Sequence, residues 1–135
     1  NVATGSMAGM RLIHALKAAL GPRLAVWPFD PVTPGSLDDL AMVLVEIFPS
    51  YYFHAAGMNP AKNAAADPAF MNAALAAYGS EGVEQDYAPR GADADEADAI
   101  ISAAALRYFA SRPRYWRAPR EADREGWIFG VPPVI

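Results

Sequence analysis

The sequence predicts an α/β domain, and three observations predict it. Residues 40–48 form an almost wholly apolar run, the pattern of a strand buried on both faces at the centre of an α/β sheet. Leu24-Ala25-Val26-Trp27-Pro28-Phe29 is a second strand-like run, with Pro28 marking an edge or the strand end. Three longer stretches, at 6–20, 67–78 and about 92–109, repeat apolar residues at helical spacing. The chain of 135 residues has the size of one domain, and residues 1–135 read as one.

Taken in order, residues 6–20 carry the stripe Gly9, Ile13, Leu16 and Leu20, widened by Met10 and Leu12. Thr4 or Ser6 can cap the start, and Gly21-Pro22 is a stop. Arg11, His14 and Lys17 fall on the other side, so His14 reads as a surface histidine. Asp30-Pro31-Val32-Thr33-Pro34-Gly35 is turn chemistry. Residues 50–57 suggest a short helix capped by Ser50, with Tyr51, Tyr52 and Phe53 supplying bulk and His54 either at the edge of the core or approaching a site just past Glu46. Residues 60–66 are weakly patterned. Asp67 caps the next helix, Pro68 takes its first position and Gly79 ends it, with Phe70, Met71, Ala74, Leu75 and Tyr78 on its apolar face. Residues 80–91 read as an acidic loop. The last helix carries the stripe Ile101, Ala104, Ala105 and Tyr108 and stops at Ser111-Arg112-Pro113. Residues 125–132 read as an extended segment that buries Trp127 and Phe129.

Composition narrows the function classes. An apolar run of about 18 residues, the least that spans a membrane as a helix, does not occur. The absence of cysteine excludes disulfides and thiolate metal sites and fits a cytoplasmic protein. The start, Asn1-Val2-Ala3-Thr4-Gly5, has neither an initiator Met nor a signal pattern, and reads as the middle of a longer protein. Net charge is −4 but unevenly spread: positions 81–98 hold seven acids against Arg90, and positions 107–124 hold six arginines against Glu121 and Asp123. An acidic patch followed by a basic one suits a metal site beside a phosphate-holding surface; it also describes two ordinary solvated segments.

Two features carry candidate chemistry. In Asp93-Ala94-Asp95-Glu96-Ala97-Asp98, four acids stand at the mouth of the last helix, and Asp95 and Asp98, three apart, share a face. One reading is capping, because a helix N-terminus favours carboxylates. The other is a divalent-cation site completed by a third carboxylate. A Ca²⁺-binding loop is disfavoured, since its glycine and distal acid are missing. Glu46 interrupts the apolar run 40–48. It is either paired, protonated or cation-bound, or it is a strand-end residue reaching solvent as the chain turns at Pro49. The C-terminal end of a buried strand is where open α/β sheets place their sites. Arg114-Tyr115-Trp116-Arg117 is a basic, aromatic loop suited to phosphates and bases, or simply a solvated one.

Three pieces also resemble a known family. Val45-Glu46-Ile47-Phe48-Pro49 resembles the V-E-x-[YF]-P strand end of the predicted RNase H-like nuclease family. Asp95-Glu96-Ala97-Asp98-Ala99 resembles its D-x-x-D-A helix, and Glu125-Gly126-Trp127-Ile128 its E-G-W-I close, in the same order. The resemblance covers the C-terminal part of such a domain. The family's first strand, with its early acid, has no match here, so the N-terminal strands are apparently missing. The resemblance implies a few buried strands flanked by helices, and a metal-dependent nuclease using Mg²⁺ or Mn²⁺ to hydrolyse phosphodiesters. It carries the metal-ligand and catalytic role to Glu46, Asp95 and Asp98, with Asp98 the inner ligand and Asp93 and Glu96 as capping or supporting groups. Arg112, Arg114 and Arg117 would then position nucleic-acid phosphates. A missing N-terminal segment or a partner chain would complete the fold. The alternative is a non-catalytic module of the same fold that binds a partner around Tyr115 and Trp116.

Overall fold

Gly21 takes a left-handed backbone (φ 55°) and Pro22 follows, so the first helix, α1 (Val2–Leu20), ends where the sequence places its stop. The structure, a computed structural model, describes residues 2–60, 67–87 and 95–133. The helix begins ahead of residue 6, and Thr4 and Ser6 lie within it rather than capping it. One glycine at position 5 weakens a helix by only about 1 kcal/mol and does not end it.

A turn of 3-10 helix, Gly21–Arg23, leads into β1 (Leu24–Val26), and a second, Pro34–Asp39, precedes β2 (Met42–Leu44). The strands pair in parallel, with Leu24 opposite Met42 and Val26 opposite Leu44. Beyond β2, Glu46 forms a parallel bridge with Ile128. The molecule is therefore a helix-rich α/β structure with a small two-stranded parallel sheet.

Both strands are shorter than the runs that announce them. After Val26 the chain turns back, and Asp30 occupies the outer edge of β1. Its Oδ2 accepts from the Val26 N–H (2.9 Å) and its own N–H donates to the Val26 carbonyl (2.9 Å). The run 40–48 is not buried on both faces. Met42, Ile47 and Phe48 are exposed, and Val43, Leu44 and Val45 are half-buried. A parallel sheet is sealed only when layers cover both its faces, and the described residues do not cover β2 and its exit.

Helix α2 (Pro49–Ala55) starts on a proline at its first position, so Ser50 lies inside it and does not cap it. Helix α3 (Pro68–Ala77) has the predicted start: Asp67 Oδ1 accepts from the Ala69 N–H at 2.9 Å. Gly79 (φ 62°) follows its end. Helix α4 (Asp95–Ala110) matches its predicted stretch, while Asp93 and residues 61–66 lie outside the described residues. The basic loop is a 3-10 turn, Pro113–Trp116, and a single helical turn, α5 (Ala122–Glu125), follows it.

The core lies where α2 and α3 pack on α4 and the C-terminal segment closes over them. Tyr52, Phe53, Met71, Ile101 and Phe129 are sealed from solvent, each adding about 1.5–3 kcal/mol by burial. Phe109 is the hub: ring centroids of Tyr52, Tyr78, Tyr108 and Tyr115 lie 4.4 to 5.8 Å away. Gly130 (φ 92°) touches that hub so closely that a methyl group there would overlap the Phe109 ring. Among the described residues, no helix is long and apolar enough to cross a membrane.

Candidate functional site

Glu46 stands one residue beyond the half-buried Val45, and the backbone there is tied to the C-terminal segment. Its carbonyl accepts from the Phe129 N–H at 2.9 Å, next to the bridge with Ile128. Its side chain is exposed, as the strand-end reading expects. Carboxylate Oε2 lies 3.7 Å from where a Cβ on Gly126 would sit, beside the Phe29 ring. Gly126 has φ 77°, a conformation that turns the chain sharply between α5 and the bridge.

Two clefts flank this carboxylate. One, of about 220 Å³, is apolar and lined by Ile13 of α1, Val26, Phe29, Val45 and Trp127. The other, of about 280 Å³, is shared by Glu46 with Glu125, Trp127 and Val131. Trp127 is fixed between them by its indole N–H, which donates to the Val131 carbonyl at 2.8 Å. The V-E-x-F-P and E-G-W-I motifs, far apart in the chain, thus meet on one surface. Sequence reasoning did not assign Glu125 a role; its only signal was its place at the head of the third motif.

The acids of the second motif sit on the first turn of α4. Asp95 is exposed and Asp98 half-buried, with Ala97 and Ile101 sealed beside it. Burial, and then the charge of Asp95, hold the Asp98 carboxyl above its usual range. One turn further, Ser102 is buried and its hydroxyl has no hydrogen-bond partner among the described residues. Glu96 lies on another side of the helix, where its charge, after burial, raises the Tyr87 phenol. Among the described residues, no three acidic or histidine side chains converge as a cation-binding group, so Glu46, Asp95 and Asp98 alone do not make one. His14 is exposed, as read from the sequence; His54 is exposed too, rather than at the edge of the core.

The three arginines fare differently. Arg112 lays its guanidinium over the Tyr108 ring, 3.4 Å from the centroid, and donates to the Tyr108 carbonyl, so it closes the end of α4. Arg114 is exposed and donates to the Tyr115 hydroxyl at 2.6 Å. Arg117 is exposed where the 3-10 turn ends. Arg114 borders a third cleft, of about 380 Å³, with Tyr51, Tyr78, Tyr108 and Tyr115. These tyrosines come from four separate segments, and nothing local in the sequence marks them as neighbours.

No family model, no curated protein and no solved structure matches this chain.

Proposed function

We propose that this chain is the C-terminal part of a metal-dependent nuclease of RNase H-like fold, hydrolysing phosphodiesters in the cytoplasm. Glu46, Asp95 and Asp98 are its divalent-metal ligands, for Mg²⁺ or Mn²⁺. One observation carries the reading: the Glu125-Gly126-Trp127-Ile128 segment docks alongside Glu46, joining two of the three motifs at the end of a parallel strand. Asp98 adds support, as a half-buried carboxylate on the first turn of α4 that burial, and then Asp95, hold above its usual range.

The described acids do not by themselves fit a cation, so no reaction step is built on one. A further acid comes from an N-terminal segment or a partner chain, which also covers the bare apolar side chains Met7, Met10, Leu12, Phe29, Ile47 and Phe48. A second reading, a non-catalytic binding module of the same fold, is favoured by the lack of a converged three-acid group among the described residues.

The test is cleavage of single- and double-stranded RNA and DNA by the full-length protein in Mg²⁺ or Mn²⁺. Cleavage that disappears in Glu46→Gln and in Asp98→Asn is the expected result. Activity unchanged in both variants rejects the reading, and no cleavage by the folded wild-type protein favours the binding module.

A further inference from the structure

The cleft between α2, α4 and the 3-10 turn has a composition its surroundings lack. Four tyrosines line it, and Arg114 is the one charged residue among its described lining, with no acid. We propose that this cleft binds one nucleotide of a single-stranded nucleic acid, with the base against the tyrosine rings and the phosphate at Arg114. This names the substrate form of the nuclease proposed above and rests on that reading for its link to cleavage, while the binding itself requires no metal.

Size, chemistry and position each support it. The volume, about 380 Å³, falls within the range of roughly 300–1,000 Å³ typical of small-ligand sites. Tyr51, Tyr108 and Tyr115 line the cleft and are half-buried. Arg112 lies over one face of the Tyr108 ring and Arg114 over the Tyr115 ring, which leaves the Tyr51 ring and the faces turned from those guanidinium groups for a base. Base–aromatic stacking tolerates any base, because every base has a π-face.

Arg114 and the Tyr51 and Tyr115 hydroxyls are donors in this lining. The Tyr115 hydroxyl accepts from Arg114 and keeps its own proton to give. The Tyr51 hydroxyl donates a long bond of 3.4 Å to the Gly130 carbonyl. Like any phenol, Tyr51 is protonated at neutral pH and so can donate. A cation with phenolic donors and no carboxylate suits a phosphate.

A base in a duplex is stacked on both faces and cannot enter such a cleft without being extruded, so the cleft favours single strands. Its position fits as well. Gly126 and Trp127 border Glu46, and Gly130 borders the tyrosine cleft. Four residues span at most about 14 Å even when fully extended, so one strand can reach both places.

The experiment measures binding, in EDTA, of fluorescein-labelled DNA and RNA strands about ten nucleotides long, their duplexes, and free nucleoside monophosphates. The wild-type chain is expected to bind single strands more tightly than duplexes or mononucleotides. The exposed Arg114→Gln should weaken binding and lower the dependence of log K on log salt by roughly one phosphate contact. Tyr115→Leu, with its fold checked by circular dichroism, should weaken it by roughly 5- to 100-fold. Binding unchanged in both variants, duplex or mononucleotide bound as tightly as single strand, or no binding at all, overturns the proposal. Because the metal is absent throughout, single-strand binding can hold while cleavage fails, or cleavage can hold while this cleft fails, so the two readings fall separately.

Discussion

The helical half of the molecule seals its largest apolar side chains, while the sheet half buries Leu24, Trp27 and Val32 but leaves others bare. Where α2, α3 and α4 meet the C-terminal segment, Tyr52, Phe53, Met71, Ile101 and Phe129 are sealed. Around α1 and the two strands, Met7, Met10, Leu12, Phe29, Ile47 and Phe48 keep from 43% to 70% of their surface in contact with solvent. The stripe of α1 does face the rest of the chain, but Gly9, Ile13, Leu16 and Leu20 are only half-buried. An apolar pattern states that a face wants a neighbour; the folded chain decides whether it has one. Among the described residues, nothing covers Met7, Met10 and Leu12 of α1.

The sharpest way to break this comparison is to shorten one side chain in each half. Phe109→Ala removes the ring on which four tyrosines and Phe129 converge, and should cost about 3–5 kcal/mol in urea denaturation. Met10→Ala on α1, where the side chain is 70% exposed, should change stability by no more than about 0.5 kcal/mol. A comparable loss in both would mean that α1 is covered in solution, by a second copy or another chain. Dependence of the Met10→Ala loss on protein concentration would identify a second copy.

How legible each half was follows the same division. Helix α3 could be read from local chemistry alone, since Asp67, Pro68 and Gly79 each act within a turn of their own position. Helix α4 was legible for a similar reason, as a long periodic stretch with a proline stop. The strands were located but overextended, because a strand lasts only as long as its ladder, and the ladder depends on residues far along the chain. Asp30 closing the edge at Val26 is the kind of contact that composition does not show. Helix α5 is a single turn, too short to have a period. In the site, the motif residues were visible one by one, but not that the first and third motifs would meet at the Glu46–Ile128 bridge, since that pairing is made by tertiary packing. The nuclease resemblance suggests a phosphate contact at Arg112, but its guanidinium is taken up by the Tyr108 ring and carbonyl one turn back, a packing contact that charge alone does not show.

A second contrast between the halves appears at high pH. Every tyrosine of the hub lies in the helical half, and burial pushes the Tyr52 phenol from 10.0 up to about 12, with Tyr51 adding to it. The Tyr78 phenol is raised further, first by burial and then by Tyr51 and Tyr52. A buried phenol that holds its proton longer in the folded state than in the unfolded one favours folding fully below pH 10, and that contribution is lost as pH rises toward 12. Stability should therefore be flat near neutrality and fall above pH 10 by about 1.4 kcal/mol per pH unit for each such phenol. Tyr52→Phe should make that fall shallower, while lowering stability at pH 7 because the Phe129 carbonyl loses its 2.8 Å bond from Tyr52. An unchanged alkaline slope in the variant would separate the tyrosine hub from the pH response.

The smallest expected effects lie in the sheet half, where local polar bonds do what a core does elsewhere. The Asp30 carboxylate accepts from Val26 and lies 3.4 Å from the Lys17 ammonium of α1, so one side chain ties the helix to the outer edge of β1. Its two partners are worth different amounts. The Val26 N–H is partly buried and loses this acceptor when the carboxylate is gone, so Asp30→Ala should cost about 0.5–1.5 kcal/mol. Lys17 is half-exposed, and an ion pair open to water is screened, so Lys17→Ala should cost no more than about 0.5 kcal/mol, less still in high salt. Amide exchange at Val26 gives the more direct reading: it should speed up in Asp30→Ala and stay near wild type in Lys17→Ala. If both variants released that amide equally, Lys17 would be what holds the carboxylate against the strand, and α1 would be fastened to the sheet by charge rather than by its half-buried stripe.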